Sequence, residues 1–323
     1  VSGGTIIPEK TQSIHRYSTY IGVNYKMIFS EQFKRTANVE ITTVIGCPVM
    51  CSFCPQVSLI KNFKLQNSLK IKDKVLTIDR FEKIVAKLPT WVDIHFSGMS
   101  EPYAAKDCSK MMHHAITKGH RISVYSTLVG SNKEDLDLLS EIPFDNKYKL
   151  VVHLPDDEEN FKAKVNDKYI HNLEYFLNLP SIQRGIANGS IDFMSMSRKG
   201  LTDPKIKHLI PKKLASFIAI SRAGNLANEK ELYEGADIAR RKLGPLVCSA
   251  APQLNHNVVL PNGDVVLCCM DYSIDHKIGN LLEQSYEELF ESEQLKGIFE
   301  MMKNDSESQN LLCRTCEYSR RVG

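Results

Sequence analysis

Three closely spaced cysteines constrain this chain more than any other feature. Cys47, Cys51 and Cys54 form a C-x3-C-x2-C pattern in TTVIGCPVMCSFCPQ, directly after a β-rich run. Cysteine thiolates hold iron–sulfur clusters, and three on one short loop suit three irons of a [4Fe-4S] cluster, leaving the fourth iron open. A structural zinc site needs four ligands, and this loop supplies three. The pattern predicts a cluster with one free coordination position; packed cysteines without metal are the alternative.

Composition indicates how the nine cysteines are to be interpreted. Hydrophobic residues make up 42% and charged residues 24% of the 323 residues, which excludes extended disorder and fibrous folds. No apolar run reaches the roughly 18 residues that cross a bilayer, and the start lacks signal-peptide order, so we expect a cytoplasmic protein without membrane contact. Cytosolic thiols stay reduced, so the cysteines indicate metal or redox chemistry.

The formal charge of +3 is too small for a basic nucleic-acid-binding face, and no nucleic-acid partner is expected.

Short β-rich runs alternate with helical stretches, which predicts parallel βαβ units. The predicted strands are 39–46, 91–98, 121–128, 148–154, 191–197 and 217–221. The predicted helices are 77–88, 104–118, 132–141, 157–178 and 204–215. At roughly 100–200 residues per domain, we expect two domains or one large barrel with an appendage. We predict an N-terminal extension at 1–37, an α/β barrel at 38–221, and a linker with a smaller cysteine-bearing domain at 222–323.

The predicted strands carry polar residues on one face. In 91–97, apolar residues alternate with polar ones such as His95, so one face packs on helices and the other faces a lumen. A closed eight-stranded barrel fills its interior with branched apolar side chains, so a polar lumen indicates an incomplete barrel that holds a polar substrate. The alternative is polar residues satisfied locally at strand ends. Other residues expected in the lumen are Tyr125, His153 and Asp192.

A second set of cysteines lies near the C-terminus. Cys248 and Cys268 flank a predicted hairpin with a Pro-Asn-Gly-Asp turn, and Cys313 and Cys316 form C-x2-C. Four thiolates close a cluster completely, although a structural zinc site with the same ligands is the alternative. Cys269 follows Cys268 on a strand, so the two side chains point in opposite directions and only one is expected to bind metal.

The first cysteine loop resembles that of the radical S-adenosylmethionine (SAM) enzymes. The resemblance implies a partial (β/α)6 barrel over 39–221, with SAM bound at the open iron. Phe53 is similar to the aromatic residue that this family places beside adenine. Gly98-Met99-Ser100-Glu101-Pro102 resembles the turn that holds the SAM amino group, although Met99 and Ser100 replace the commoner glycines, so Gly98 and Glu101 carry over best. Further SAM contacts implied by position are Ser126 or its neighbour Thr127, Ser197 and Arg198.

The C-terminal cysteine set resembles the Twitch form of the SPASM auxiliary-cluster domain. SRAGN at 221–225 and IGN at 278–280 resemble stretches found around that domain. The resemblance implies one auxiliary cluster held by Cys248, Cys268, Cys313 and Cys316, and therefore two [4Fe-4S] clusters in all. Because such a cluster has no iron free for substrate, an electron-accepting role is expected.

The chain also resembles the carbinol-oxidising dehydrogenases of this family. This implies an oxidoreductase whose 5′-deoxyadenosyl radical abstracts hydrogen from a carbinol carbon of a small polar substrate, such as a sugar, cyclitol or aminosugar. The auxiliary cluster then accepts the second electron, and a flavodoxin- or ferredoxin-type protein is the expected reductant. Arg222 is expected to contact the substrate hydroxyl, with His95 and His153 as alternatives because imidazole titrates near neutrality.

Two other functions remain open at this point. A radical epimerase or peptide-modifying enzyme of the same superfamily would use Cys269 as a hydrogen-atom donor, whereas a packed, inert thiol is the simpler interpretation of that residue. A zinc-stabilised binding protein is an alternative of another class. It predicts a colourless protein, whereas a brown, oxygen-sensitive protein with about eight irons would exclude it.

Overall fold

The computed structural model describes residues 29–67, 73–210, 214–216, 220–226, 241–304 and 310–322. Most of the predicted N-terminal extension lies outside the described residues, as do 217–219 of the last predicted barrel strand and the centre of the predicted linker. The boundaries of the three predicted domains stay a prediction. No helix within the described ranges is long and apolar enough to cross a membrane.

Strands and helices alternate through the first two thirds of the chain. The helices are α1 (Glu31–Thr36), α2 (Gln56–Gln66), α3 (Ile78–Val85), α4 (Cys108–Thr117), α5 (Lys133–Ser140), α6 (Asp167–Asn178), α7 (Pro180–Ala187), α8 (Tyr286–Glu291) and α9 (Glu293–Lys303). The strands are β1 (Asn38–Ile41), β2 (Asp93–Phe96), β3 (Ile122–Ser126), β4 (Tyr148–Leu154), β5 (Ile191–Ser195), β6 (Ala215–Ser216), β7 (Leu246–Cys248), β8 (His256–Val259), β9 (Asp264–Val266), β10 (Lys277–Asn280) and β11 (Ser319–Arg321).

One sheet organises the molecule, in the order β10-β9-β8-β1-β2-β3-β4-β5-β6. Strands β1 to β6 are parallel to their neighbours, which confirms the predicted partial α/β barrel. The C-terminal hairpin joins this sheet, because β8 pairs in parallel with β1, and β9 and β10 follow in antiparallel pairing. Strands β7 and β11 form a separate antiparallel pair. The two cysteine-bearing regions are therefore joined through β1.

The outer face of the barrel sheet is apolar and packs on the helices. On β2, Ile94 and Phe96 are fully buried, whereas His95 is partly exposed on the opposite face. Phe81 of α3 and Met111 of α4 belong to the same hydrophobic core. This alternation buries one face of each strand and leaves polar side chains for a lumen.

Two predicted helices are wrong in extent or in kind. The helix predicted at 157–178 begins only at Asp167, because the Asn166 side chain caps it by accepting from the Tyr169 N–H. The residues before it form a loop held by the Asp156 carboxylate, which accepts the N–H groups of residues 158, 160 and 161. The described part of the helix predicted at 204–215 forms turns and ends in β6.

Candidate active site

A cavity of about 540 Å³ lies at the C-terminal ends of the parallel strands. We call it the large cavity. One wall is the cysteine loop, residues 47–54, and another is the turn after β2, residues 97–101. The remaining walls come from β1 to β5, from the segment around Arg222, and from the C-terminal region. This is the edge of an α/β barrel at which functional side chains converge.

Gln56, the first residue of α2, holds the cysteine loop in place. Its Oε1 accepts from the Cys47 N–H at 3.1 Å. Its Nε2 donates to the Met99 carbonyl at 2.6 Å and approaches Cys54 Sγ at 3.3 Å. One buried amide therefore ties two cysteines to the turn after β2.

The three thiols of the cysteine loop fit an iron–sulfur cluster. Cys47, Cys51 and Cys54 all line the large cavity, as does Phe53. Burial raises the pKa of the Cys47 thiol to about 11 and raises that of Cys51 well above its ordinary value, and the neighbouring thiols add to both effects. Three mutually repelling thiolates need positive charge between them, which cluster irons supply.

The turn after β2 packs directly against the end of β1. Gly98 has φ of +30°, and a Cβ there would lie 2.6 Å from the Thr42 nitrogen, so only glycine fits without displacement. The Met99 N–H donates to Thr42 Oγ1 at 3.0 Å. The Glu101 N–H donates to Cys47 Sγ at 3.3 Å, which places this turn beside the cysteine loop.

Glu101 is a buried carboxylate whose hydrogen-bond partners are neutral groups. Its Oε1 accepts from Ser126 Oγ at 2.6 Å and from the Tyr103 N–H at 3.2 Å. Its Oε2 accepts from the N–H and the hydroxyl of Thr127, at 2.7 and 2.6 Å. Burial raises the pKa of Glu101 above its ordinary value. A carboxylate in this setting is stabilised by a cationic ligand such as an ammonium group.

Three residues predicted to contact SAM do not line the large cavity. Ser126 lies behind Glu101, to which its hydroxyl donates, while its neighbour Thr127 reaches the cavity wall. Ser197 is fully buried. The Arg198 side chain is half-exposed, with Nε 3.9 Å from Glu158 Oε2, because the loop after β4 supplies that acidic partner outside the cavity. The structure therefore brings Phe53, Gly98 and Glu101 to the cavity, but not Ser126, Ser197 or Arg198.

Two histidines and a tyrosine form a row along the inner face of the barrel. The His95 and Tyr125 ring centroids are 6.0 Å apart, and those of Tyr125 and His153 are 6.2 Å apart. Burial lowers the pKa of both histidines to about 4, and the charge of Arg222 contributes at His153. Both imidazoles are therefore neutral at pH 7. Asp192 is also predicted in the lumen, but it is exposed and does not line the large cavity. The β5 residue that lines the cavity is Met194.

Arg222 reaches the large cavity from a turn with left-handed backbone. Its φ is +52° and that of Ala223 is +55°. The Glu317 carboxylate accepts from the N–H groups of Ser221 and Ala223, the latter at 3.3 Å. Thr315 Oγ1 donates to the Ala223 carbonyl at 2.8 Å. The turn is thus held by residues of the C-x2-C segment.

Glu40 and Cys269 face each other across the same region. The Glu40 carboxylate accepts from Ser97 Oγ at 3.1 Å and from the Cys269 thiol. Burial raises the pKa of the Glu40 carboxyl and that of the Cys269 thiol. The positive charge of Arg222 lowers both pKa values. Tyr272, from the same C-terminal region, has its hydroxyl 3.3 Å from Cys54 Sγ.

The second cysteine set surrounds a separate small cavity of about 30 Å³. Its walls include all four predicted ligands, together with apolar side chains such as Leu254 and Leu267. Burial raises the pKa of the Cys268, Cys313 and Cys316 thiols. Four sulfurs around one enclosed space fit a cluster without an open iron. The four ligands predicted from the sequence are Cys248, Cys268, Cys313 and Cys316.

The neighbouring cysteines lie on different cavities. Cys268 lines the small cavity and Cys269 lines the large one. Cys108 is fully buried in the main hydrophobic core. Within the described ranges, no three His, Cys, Asp or Glu side chains are arranged to hold a single metal ion.

Four contributors to the site have no motif of their own in the sequence. They are Gln56, Glu40, Tyr272 and Glu317, and each acts through contacts with residues distant in the chain. Two of them have a local signal: Gln56 follows the third cysteine by two positions, and Glu40 alternates with Val39 and Ile41 on the polar side of the first predicted strand. Tyr272 and Glu317 become visible only when β8 pairs with β1 and brings the C-terminal region to the barrel.

Residues 248–317 match the SPASM family model, described as an iron-sulfur cluster-binding domain. Among solved structures, the chain is similar to BtrN in complex with AdoMet and 2-DOIA, with 16% identity, a TM-score of 0.54, and coverage of 87% of this chain and 92% of that chain. It is also similar to Streptococcus suis SuiB bound to precursor peptide SuiA, with 13% identity, a TM-score of 0.50, and coverage of 98% and 77%. A search of curated proteins finds no significant match.

At these identities the structural likeness shows a shared fold. The matched segment contains the four cysteines around the small cavity, so it is an iron–sulfur cluster-binding segment. The first cysteine loop lies on the large cavity. Residues 248–317 therefore form a SPASM-type iron–sulfur cluster-binding domain, and the chain shares its fold with BtrN and with SuiB.

Proposed function

We propose that this chain is a radical SAM oxidoreductase that oxidises a carbinol of a small polar substrate to a carbonyl. The observation that carries the proposal is the composition of the large cavity. It joins three cluster-type thiols and Glu101 to a wall of proton acceptors, His95, His153 and Glu40, beside the Arg222 cation.

Two cofactor sites follow from the residues on the cavity walls. Cys47, Cys51 and Cys54 hold the first [4Fe-4S] cluster, and the four cysteines of the small cavity hold the second. Glu101 binds the SAM ammonium group, and Phe53 packs beside the adenine. When bound, these cofactors supply a 5′-deoxyadenosyl radical that abstracts hydrogen from carbon and an auxiliary cluster that accepts the second electron.

The protein's own residues handle the hydroxyl proton. Oxidation of a carbinol releases one hydrogen from carbon and one proton from oxygen, so a proton acceptor must stand near the hydroxyl. His95 and His153 are neutral because burial lowers the pKa of each to about 4, so each offers a ring nitrogen that can accept a hydrogen bond from the hydroxyl. Burial raises the pKa of Glu40, which makes its carboxylate a stronger proton acceptor than an exposed one. The Arg222 guanidinium stabilises negative charge that develops on the oxygen. Glu40 lies beside this cation and accepts from Ser97.

The cavity supports a small substrate rather than a large one. Its volume of about 540 Å³ has to hold the first cluster and SAM as well as the substrate, which leaves room for a small molecule. The polar wall suits hydroxyl groups. The likeness to BtrN with AdoMet and 2-DOIA supports a sugar- or cyclitol-type substrate, and the chain resembles 2-deoxy-scyllo-inosamine dehydrogenase in its cysteine pattern. A flavodoxin- or ferredoxin-type protein is the proposed reductant.

One observation favours a second candidate function. The Cys269 thiol lies on the wall of the large cavity, where it can reach a substrate radical. A thiol that donated a hydrogen atom there would invert a carbon centre without net oxidation of the substrate. The thiyl radical left on Cys269 would then need one electron, from the auxiliary cluster, and one proton to return to the thiol. The structure of SuiB with a peptide supports peptides as candidate substrates for this second function.

Product mass distinguishes the two functions. The protein is incubated without oxygen with SAM, a low-potential reductant and panels of polyols, aminosugars and peptides, and 5′-deoxyadenosine and substrate mass are followed. Oxidation gives a product lighter by two hydrogens, and the Cys269→Ala variant is expected to form the same product. Inversion gives a product of unchanged mass in ordinary water and a product one mass unit heavier in deuterated water. Cys269→Ala is expected to abolish inversion, whereas the buried control Cys108→Ala is expected to retain it. Absence of 5′-deoxyadenosine with every substrate contradicts both.

A further inference from the structure

Tyr272 belongs to the SPASM segment, residues 248–317, but its hydroxyl lies at the first cysteine loop. The phenol oxygen is 3.3 Å from Cys54 Sγ. The side chain is only 3% exposed and forms part of the large-cavity wall. It therefore connects the segment that holds one cysteine set to a ligand of the other.

The backbone before Tyr272 is a tight turn that starts at an auxiliary-cluster ligand. The Asp271 N–H donates to the Cys268 carbonyl at 3.0 Å, and the Tyr272 N–H donates to the Met270 carbonyl at 3.0 Å. The ring packs in a hydrophobic cluster with Val258 and Ile274, among others. Turn and packing together hold the phenol against Cys54.

The direction of the contact follows from the chemistry of its partners. A thiolate that binds iron has no proton to give, whereas a phenol carries one O–H. The phenol is therefore the donor and the sulfur the acceptor. Gln56 Nε2 also approaches this sulfur, at 3.3 Å, so Cys54 has one donor two positions away in the sequence and another 218 positions away. The Tyr272 side chain is buried, and the low dielectric of a protein interior strengthens a hydrogen bond.

We propose that Tyr272 raises the reduction potential of the first cluster by its hydrogen bond to Cys54. The inference rests on the first cluster proposed above. Hydrogen bonds to ligand sulfurs are among the factors that set cluster potentials, because they stabilise the additional negative charge of the reduced state. One electron from the flavodoxin- or ferredoxin-type reductant then reduces this cluster more readily. Tyr272 is a positioning residue in this role, since it acts through a cluster ligand.

The variant Tyr272→Phe tests the proposal. The substitution keeps the aromatic ring and removes the hydrogen-bond donor. Loss of a hydrogen bond to a charged acceptor is expected to change the one-electron reduction equilibrium about tenfold, which equals about 59 mV. We expect the potential of the first cluster to fall by about that amount. The readout is a redox titration followed by electron paramagnetic resonance, using the signal that added SAM perturbs, with iron content measured on each sample.

Tyr286→Phe is the matched control. Tyr286 is fully buried in the same segment, and its hydroxyl has no hydrogen-bond partner among the described residues. Its ring packs on Trp91 and Phe290. Removing this hydroxyl is expected to leave the potential unchanged. A fall of equal size in the control would show a general effect of losing a buried hydroxyl and would overturn the proposal.

A second measurement covers the case in which Tyr272→Phe loses its cluster. Global replacement of tyrosine by 3-fluorotyrosine keeps every phenol and makes each a stronger donor, and we expect the potential of the first cluster to rise. An unchanged potential in Tyr272→Phe overturns the role of Tyr272, and where that variant has lost its cluster, an unchanged potential in the fluorinated protein overturns it. A wild-type protein without a SAM-sensitive cluster signal overturns the proposed function as well, so the two failures are distinguishable.

Discussion

The Glu317 carboxylate binds the backbone N–H groups on both sides of Arg222. Arg222 has a left-handed backbone with φ of +52°, which is unfavourable for a residue with a side chain. Glu317 follows Cys316 directly in the sequence, so the segment that holds the auxiliary cluster also sets the position of the cavity arginine. We therefore expect the small cavity and the large cavity to be coupled through this turn.

Replacing Glu317 tests that coupling. Glu317→Ala removes the acceptor of two backbone N–H groups, at a cost of about 1–3 kcal/mol for each donor left buried and unpaired. We expect kcat/KM to fall at least about tenfold while iron content stays unchanged. Glu317→Gln keeps one carbonyl acceptor and is expected to retain intermediate activity. Wild-type kinetics in Glu317→Ala would show that Arg222 does not depend on this contact.

Gly98→Ala is expected to disrupt the turn after β2. The added Cβ would lie 2.6 Å from the Ile41 carbonyl carbon and from the Thr42 nitrogen, so β1 or the turn must move. We expect the unfolding free energy to fall by about 2 kcal/mol or more, with loss of SAM binding. Gly297→Ala in α9 is the control, since nothing lies within 4 Å of its Cβ, and alanine favours a helix there. Equal urea midpoints for the two variants would contradict this account of Gly98.

Glu101→Gln tests the proposed binding of the SAM ammonium group. The substitution removes the negative charge and turns an NH2 group toward hydroxyl and N–H donors, including Ser126 and Thr127. We expect the Kd for SAM to rise about tenfold to a hundredfold, measured by anaerobic calorimetry. Glu158→Gln, outside the large cavity, is the control and is expected to bind SAM normally. Unchanged affinity in Glu101→Gln would place the ammonium elsewhere.

The buried histidines predict a dependence of stability on pH. The pKa of His95 and His153 is about 4 in the folded protein, against an ordinary value of 6.5, so between these values the unfolded chain binds more protons. Stability is therefore full above pH 6.5 and falls as pH decreases toward 4, by at most about 3 kcal/mol for each histidine. Urea unfolding at about pH 7, 6 and 5 measures the slope. His153→Gln is expected to flatten it, and the exposed His208→Gln is not; a slope insensitive to His153→Gln would contradict this.

Local patterns predicted the barrel well because its elements are built from neighbouring residues. The alternation in β2 and the cysteine spacing after β1 each depend on a few consecutive positions. The helix predicted at 157–178 failed at its start because Asp156 binds three nearby N–H groups and prevents a helix there. Periodicity carries no information about such a competing side chain.

The rest of the site depends on contacts across the chain. The pairing of β8 with β1 joins residues more than 200 positions apart, and it brings Tyr272 to Cys54 and Cys269 to Glu40. Arg198 was predicted at the cavity because arginine suits a carboxylate, but Glu158 of the β4 loop binds it outside the cavity. Sequence patterns identify the ligand sets, whereas the residues that position them follow from tertiary packing.

The central claim is most directly tested by determining which metal sites added SAM perturbs. The anaerobically reconstituted protein is expected to hold about eight irons, and in its reduced state SAM should alter the resonance of one cluster and leave the other unchanged. In the triple variant Cys47→Ala/Cys51→Ala/Cys54→Ala, the SAM-sensitive signal should disappear and about four irons should remain. Zinc in place of iron, or two clusters that both ignore SAM, would contradict the account.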